Sequence, residues 1–68
     1  MTEQRREGIV DWWDRERGYG FIVPFGDIDQ IYVEAGALEG THVLSCEQHV
    51  SFLLQFTGGR LQARSVQP

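Results

Sequence analysis

The sequence predicts an all-β fold, a small closed barrel of five short antiparallel strands. Three observations carry this expectation. Apolar and aromatic residues alternate at period two in several short stretches, most cleanly from His49 to Phe56. Glycines mark the breaks between them, at Gly18, Gly26, Gly36, Gly40 and the Gly58-Gly59 pair. No stretch has a convincing helical pattern. Closing the sheet also removes the exposed edges that such short strands would otherwise present.

At 68 residues the chain reads as a single domain spanning 1–68, with its core between about residues 7 and 66. Length alone leaves a helix bundle, a barrel and a ferredoxin-like sheet open; the patterning selects the barrel. The net charge is −4, and all six basic residues are arginine. Acidity argues against a long-range phosphate binder. It does not exclude binding by base stacking, which needs aromatic faces more than net charge, and arginine can itself stack on bases. A single cysteine, Cys46, rules out an internal disulfide and fits a reducing compartment. No apolar run approaches the roughly 20 residues of a membrane helix. The polar start lacks the pattern of a secretory signal, so the expected location is cytoplasmic, with no membrane partner.

In chain order, Met1–Arg6 is polar and expected to fray. Glu7–Asp14 reads as the first strand, with Ile9, Val10, Trp12 and Trp13 as strand formers. Strict alternation puts Val10 and Trp12 on one face and Ile9, Asp11 and Trp13 on the other; the two tryptophans share a face only with a bulge. Asp14–Gly18 is a charged turn. Tyr19 to about Val23 is the second strand, closed by Pro24, and Phe25–Asp29 is a loop. Gln30–Glu34 is the third strand, with Ile31 and Val33 inward and Gln30, Tyr32 and Glu34 outward. Ala35–Cys46 is irregular, with one short turn at Gly36–Leu38. His49–Phe56 is the fourth strand, with Val50, Phe52, Leu54 and Phe56 as its inward stripe. After the Thr57-Gly58-Gly59 connection, Arg60–Val66 is the fifth, its apolar positions being Leu61, Ala63 and Val66.

The stretch Arg17-Gly18-Tyr19-Gly20-Phe21-Ile22 bears most directly on function. Residues i and i+2 of a strand point to the same face, so Tyr19 and Phe21 stand side by side. Gly18 and Gly20 fall opposite, where a second layer can approach closely. Tyr32 adds a third ring to the outward side. Core filling is the competing explanation for these rings. It would require both faces of the sheet to be buried, which a chain of this size cannot supply.

Taken together, these blocks resemble the cold-shock domain family. The run Asp11-Trp12-Trp13-Asp14 is similar to that family's Lys-Trp-Phe-Asn, and Arg17–Ile22 matches its Lys-Gly-Phe-Gly-Phe-Ile motif. Ile31-Tyr32-Val33-Glu34-Ala35 matches Val-Phe-Val-His-Phe more loosely. Gly36-Ala37-Leu38, Gln48–Phe52 and Gln62–Val66 follow the later blocks in order. The resemblance spans Gly8–Val66 and implies a five-stranded oligonucleotide-binding barrel that takes single-stranded RNA or DNA. It also exposes departures. The lysine before the tryptophan is Asp11, the histidine of the second motif is Glu34, and the phenylalanine after it is Ala35. The Leu38–Leu44 loop is shorter and lacks its aromatic, with Thr41 nearest.

The expected nucleic-acid site is therefore Trp12, Trp13, Arg17, Tyr19, Phe21, Tyr32, Glu34 and Arg60. Trp13 could instead plug the barrel. Arg15, Arg17, Arg60 and Arg64 are candidate phosphate contacts, weighed against ordinary solvated charge. His42, Cys46 and His49 lack an evident fourth ligand, so no metal is expected. Asp27, Asp29 and Glu34 read as turn and surface carboxylates, and no nucleophile and base can be paired, so no catalysis and no cofactor are expected. An exposed aromatic patch ringed by Asp11, Asp29 and Glu34 would also suit a protein partner. The chain is expected as a monomer or a strand-exchanged dimer.

Overall fold

The computed structural model describes residues 4–26 and 29–68. Met1–Glu3, Asp27 and Ile28 lie outside the described residues, and with them much of the expected polar lead and the candidate carboxylate Asp27. The elements are β1 (Arg6–Asp14), β2 (Tyr19–Pro24), β3 (Ile31–Glu34), a single 3-10 turn (Ala35–Ala37), β4 (His49–Thr57) and β5 (Arg60–Gln67). They close into a barrel in the order β1-β2-β3-β5-β4. Four seams are antiparallel. The seam between β3 and β5 is parallel, with Tyr32 opposite Gln62 and Leu38 bridging to Val66 beyond it, so the sheet is not antiparallel throughout. Among the described residues no helix is long and apolar enough to cross a membrane.

The core holds Val10, Trp13, Ile22, Ile31, Val33, Leu44, Val50, Phe52, Ala63 and Val66, with Phe52 fully enclosed. Leu44 comes from the stretch without periodicity, and that stretch still delivers a core residue.

Two bulges break strict alternation. On β1, Val10 pairs with Ile22 while Trp12 pairs with Phe21, so Asp11 is an extra residue with no partner on β2. The bulge reverses the strand's phase: Val10 and Trp13 face the core, and Trp12 faces out. The expected sharing of one face by Val10 and Trp12 is thereby corrected. On β5 the step from Gln67 to Arg64 opposes the shorter step from Ser51 to Leu53, and Ser65 takes a left-handed φ of 52°. That bulge lets Ala63 and Val66, three apart, both point inward.

The inward stripe of β4 stops short of Phe56. Phe56 is 72% exposed and its cross-strand neighbour Leu61 is 45% exposed. Both have inward parity. However, β1 accompanies β4 only as far as the Arg6–Phe52 pair, and β3 meets β5 at Gln62. The hairpin tip outruns the barrel, and among the described residues no second layer lies across from it.

Candidate nucleic-acid interface

The outward face of β1, β2 and β3 carries a continuous patch of four rings. Trp12 packs edge-on to Tyr19, with centroids 5.3 Å apart, and lies roughly parallel to Phe21 at 6.2 Å. Tyr19 and Phe21 meet edge-on at 6.3 Å, and Tyr32 lies parallel to Tyr19 at 5.9 Å and edge-on to Phe21 at 6.1 Å. The register explains the grouping, because Phe21 sits directly opposite both Trp12 and Tyr32. Trp12 is 41% exposed, and the other three rings are half-buried against one another.

Close packing behind the rings depends on Gly20. A Cβ there would overlap the Trp12 carbonyl oxygen and come within 2.9 Å of the Trp13 ring. The turn into β2 needs Gly18 for another reason. Its φ of 73° is left-handed, and its N–H closes the turn on the Asp14 carbonyl at 2.8 Å.

Charged groups border the patch. The Arg60 guanidinium carbon lies 3.9 Å from the Tyr32 ring centroid, a cation–π contact. Glu34 is exposed at the end of β3, opposite Tyr19. The Tyr32 phenol titrates above its ordinary value, first because it is desolvated and then because the Glu34 carboxylate disfavours tyrosinate; Arg60 pulls the other way. Asp11, exposed by its bulge, accepts a hydrogen bond from Gln30 Nε2. Arg17 is exposed in the β1–β2 turn, where its backbone N–H donates to Asp14 Oδ1 at 2.9 Å. Beside the patch, a shallow cleft of about 300 Å³ is lined by Glu34, Gly36, Ala37, Gln62, Ala63 and Arg64.

The structure thus gathers Trp12, Tyr19, Phe21, Tyr32, Glu34 and Arg60 at one face, with Arg17 in the turn that leads into it. Trp13 is separated from them. It is 7% exposed in the core, on the opposite side of β1 from Trp12. Its indole Nε1 is buried and has no hydrogen-bond partner among the described residues. Sequence reading missed Phe25, which is 56% exposed and meets the His49 ring edge-on at 5.2 Å, while His49 Nε2 contacts Glu7 Oε1 at 2.8 Å. The sole signal was a phenylalanine directly after the strand-ending Pro24. Among the described residues, no three His, Cys, Asp or Glu side chains converge as metal ligands.

Residues 6–68 match the model of the family described as 'Cold-shock' DNA-binding domain. The chain belongs to the cold-shock domain family. Cold-shock protein CapA of Pseudomonas fragi is 41% identical over 54 residues, covering 76% of this chain and 84% of that protein. Cold-shock protein CapB of Pseudomonas syringae pv. tomato is 36% identical over 64 residues, covering 93% of each. Cold shock domain-containing protein 4 of Arabidopsis thaliana is 38% identical over 50 residues, and that match spans 25% of the longer plant protein. Among solved structures, Drosophila Unr CSD456 superposes with a TM-score of 0.81 over 97% of this cold-shock domain and 27% of that chain, at 18% identity. Cold-shock domains bind nucleic acid as a family, and the barrel seen here is their fold.

Proposed function

We propose that this cold-shock domain binds single-stranded RNA or DNA with low sequence specificity, by stacking bases on Trp12, Tyr19, Phe21 and Tyr32. The observation that carries the proposal is the grouping of those four rings from three strands on one open face. Every base has a π-face, so such a platform is sequence-tolerant. Arg60 extends the platform with a guanidinium already lying on Tyr32, and Arg17 supplies charge at the turn. The activity is binding without turnover and needs no cofactor. In the cytoplasm it suits an RNA chaperone or a regulator of transcription or translation.

The test is quenching of tryptophan fluorescence on titration with oligothymidine. Trp12 is the exposed reporter, and the buried Trp13 supplies a constant background. Saturable quenching that is lost in Phe21→Ala supports the proposal. No quenching into the high micromolar range removes it. The second reading is that the aromatic face now docks a protein. It is favoured by the carboxylates of Asp11 and Glu34, which border the rings and would repel phosphate.

A further inference from the structure

We propose that Glu34 makes one position of the bound strand selective for guanine, with that base stacked on Tyr19 and its Watson–Crick edge directed to the cleft between the end of β3 and β5. The inference rests on the single-strand binding proposed above and adds the base that one subsite prefers.

The strand pairing sets the geometry. Tyr19 and Glu34 are directly opposed across the β2–β3 seam, and directly opposed residues in an antiparallel pair share a face. A base lying on the Tyr19 ring therefore brings an edge to the Glu34 carboxylate. Glu34 is exposed, and the Tyr32 phenol of the same strand interacts with its carboxylate. Next to it the row of rings gives way to the cleft of about 300 Å³, with Glu34, Gly36 and Ala37 on one side and Gln62 and Arg64 of β5 on the other. A Cβ added to Gly36 would meet no atom within 4 Å, so the space there is open.

The chemistry selects the base. An ionised carboxylate only accepts hydrogen bonds, through two oxygens. The Watson–Crick edge of guanine presents two adjacent donors, N2–H and N1–H, followed by the acceptor O6. Adenine, cytosine and thymine each present a single donor group beside an acceptor, and that acceptor would face the carboxylate. Only guanine pairs with both oxygens at once, in a charge-assisted bidentate contact. The Gln62 amide and the Arg64 guanidinium, on the other side of the cleft, are donors of the kind that O6 takes. Splayed-out bases of single strands are read in this way, stacked on an aromatic ring and bonded along one edge. The positions on Trp12, Phe21 and Tyr32 remain sequence-tolerant. The same carboxylate therefore opposes a strand without guanine and favours one that places guanine beside it.

Fluorescence anisotropy tests the inference, with labelled nonathymidine and a series in which deoxyguanosine replaces one thymidine at each position in turn. The best-placed guanine should tighten binding by about 5- to 150-fold, the discrimination that a good bidentate base contact gives. Inosine, which keeps N1–H and lacks the 2-amino group, should recover only part of the gain, and adenine none. Glu34→Gln offers one acceptor in place of two. It should abolish the preference while binding nonathymidine at least as tightly as the wild type. Gly36→Leu, which fills the cleft from a position with room for a side chain, should also abolish the preference and keep nonathymidine binding. Equal affinity for guanine and thymine at every position, a gain fully matched by inosine, or a preference that persists in either variant would overturn the inference and leave the stacking platform standing. Failure of the wild type to bind any of these strands would remove the platform reading, and this inference with it.

Discussion

The guanidinium of Arg60 covers the ring of Tyr32 at 3.9 Å, joining the start of β5 to the middle of β3 across the parallel seam. The Tyr32 hydroxyl meanwhile feels the Glu34 carboxylate two residues along the same strand. The phenol is thus held between an opposing pair of charges in a partly desolvated site.

This arrangement has a definite alkaline signature. Burial and Glu34 disfavour tyrosinate, so the folded phenol titrates above its ordinary value of 10.0. A folded pKa raised above the unfolded one stabilises the fold fully below pH 10, and that contribution fades as pH rises through the raised pKa. Tyrosinate absorbance should show a late-titrating group that disappears in Tyr32→Phe. Glu34→Gln should move it down and Arg60→Ala should move it up. A Tyr32 signal unmoved by either substitution would mean that the three side chains are not coupled.

The split between the tryptophans predicts opposite phenotypes. Trp12→Ala, Tyr19→Ala and Phe21→Ala should each weaken oligonucleotide binding by about 1–3 kcal/mol while leaving the fold in place. Trp13→Ala should destabilise by about 3–5 kcal/mol, the cost of emptying a buried aromatic site. Trp13→Phe should cost much less, because it also removes the unpartnered indole N–H. Urea titration combined with binding per folded molecule checks both halves.

The carboxylates at the border should oppose nucleic acid. Asp11→Lys replaces a negative with a positive charge next to Trp12. It should tighten binding and steepen the dependence of log K on log salt by about 0.7 for each additional phosphate neutralised on a single strand. Glu34→Gln should tighten binding at neutral pH with little change in slope, since it adds no cation. Unchanged affinity and slope in both variants would put the ligand path elsewhere and favour a protein partner.

Glu39 makes an acid-side prediction. Its carboxylate accepts from Gln67 Nε2 and from Ser65 Oγ, both at 2.9 Å, and its backbone N–H donates to the Val66 carbonyl at 2.8 Å. The first two bonds, Gln67 foremost, hold its pKa below the ordinary 4.5, with a smaller contribution from Arg5. A lowered folded pKa gives stability that is present above pH 4.5 and lost as pH falls through the folded value. Glu39→Gln should therefore flatten the acid limb of the Tm–pH profile by lowering the neutral plateau toward the acid-side value. The acid limb of the wild type surviving in Glu39→Gln would assign it to other carboxylates.

Strands are legible in the sequence wherever alternation is clean. Val50 and Phe52, Ile31 and Val33, and the outward trio Tyr19, Phe21 and Tyr32 all fall where period two puts them. The failures are physical. Nothing local in Asp11 announces a bulge, because the bulge is the sheet's way of turning Val10 and Trp13, three residues apart, to the same buried face. Phe56 and Leu61 do have inward parity, but parity becomes burial only where another layer lies across the barrel. Charge alone singles out Arg60 in the sequence; its seat on Tyr32 depends on the β3–β5 seam, which no local pattern encodes.

That closure by β3 and β5 also bears on how the chain folds. The β1–β2, β2–β3 and β4–β5 pairings join neighbours in sequence, whereas Tyr32 must find Gln62 and Arg6 must find Phe52. The entropy of closing those long loops is lost before their contacts can compensate it. The two distant seams should set the height of the kinetic barrier. Shortening Val33 or Ala63 beside the parallel seam should then act on the refolding limb of the chevron differently from shortening residues inside a hairpin. The parallel seam becomes a clasp, and the time needed to fasten it is the pace at which newly made chains become able to bind.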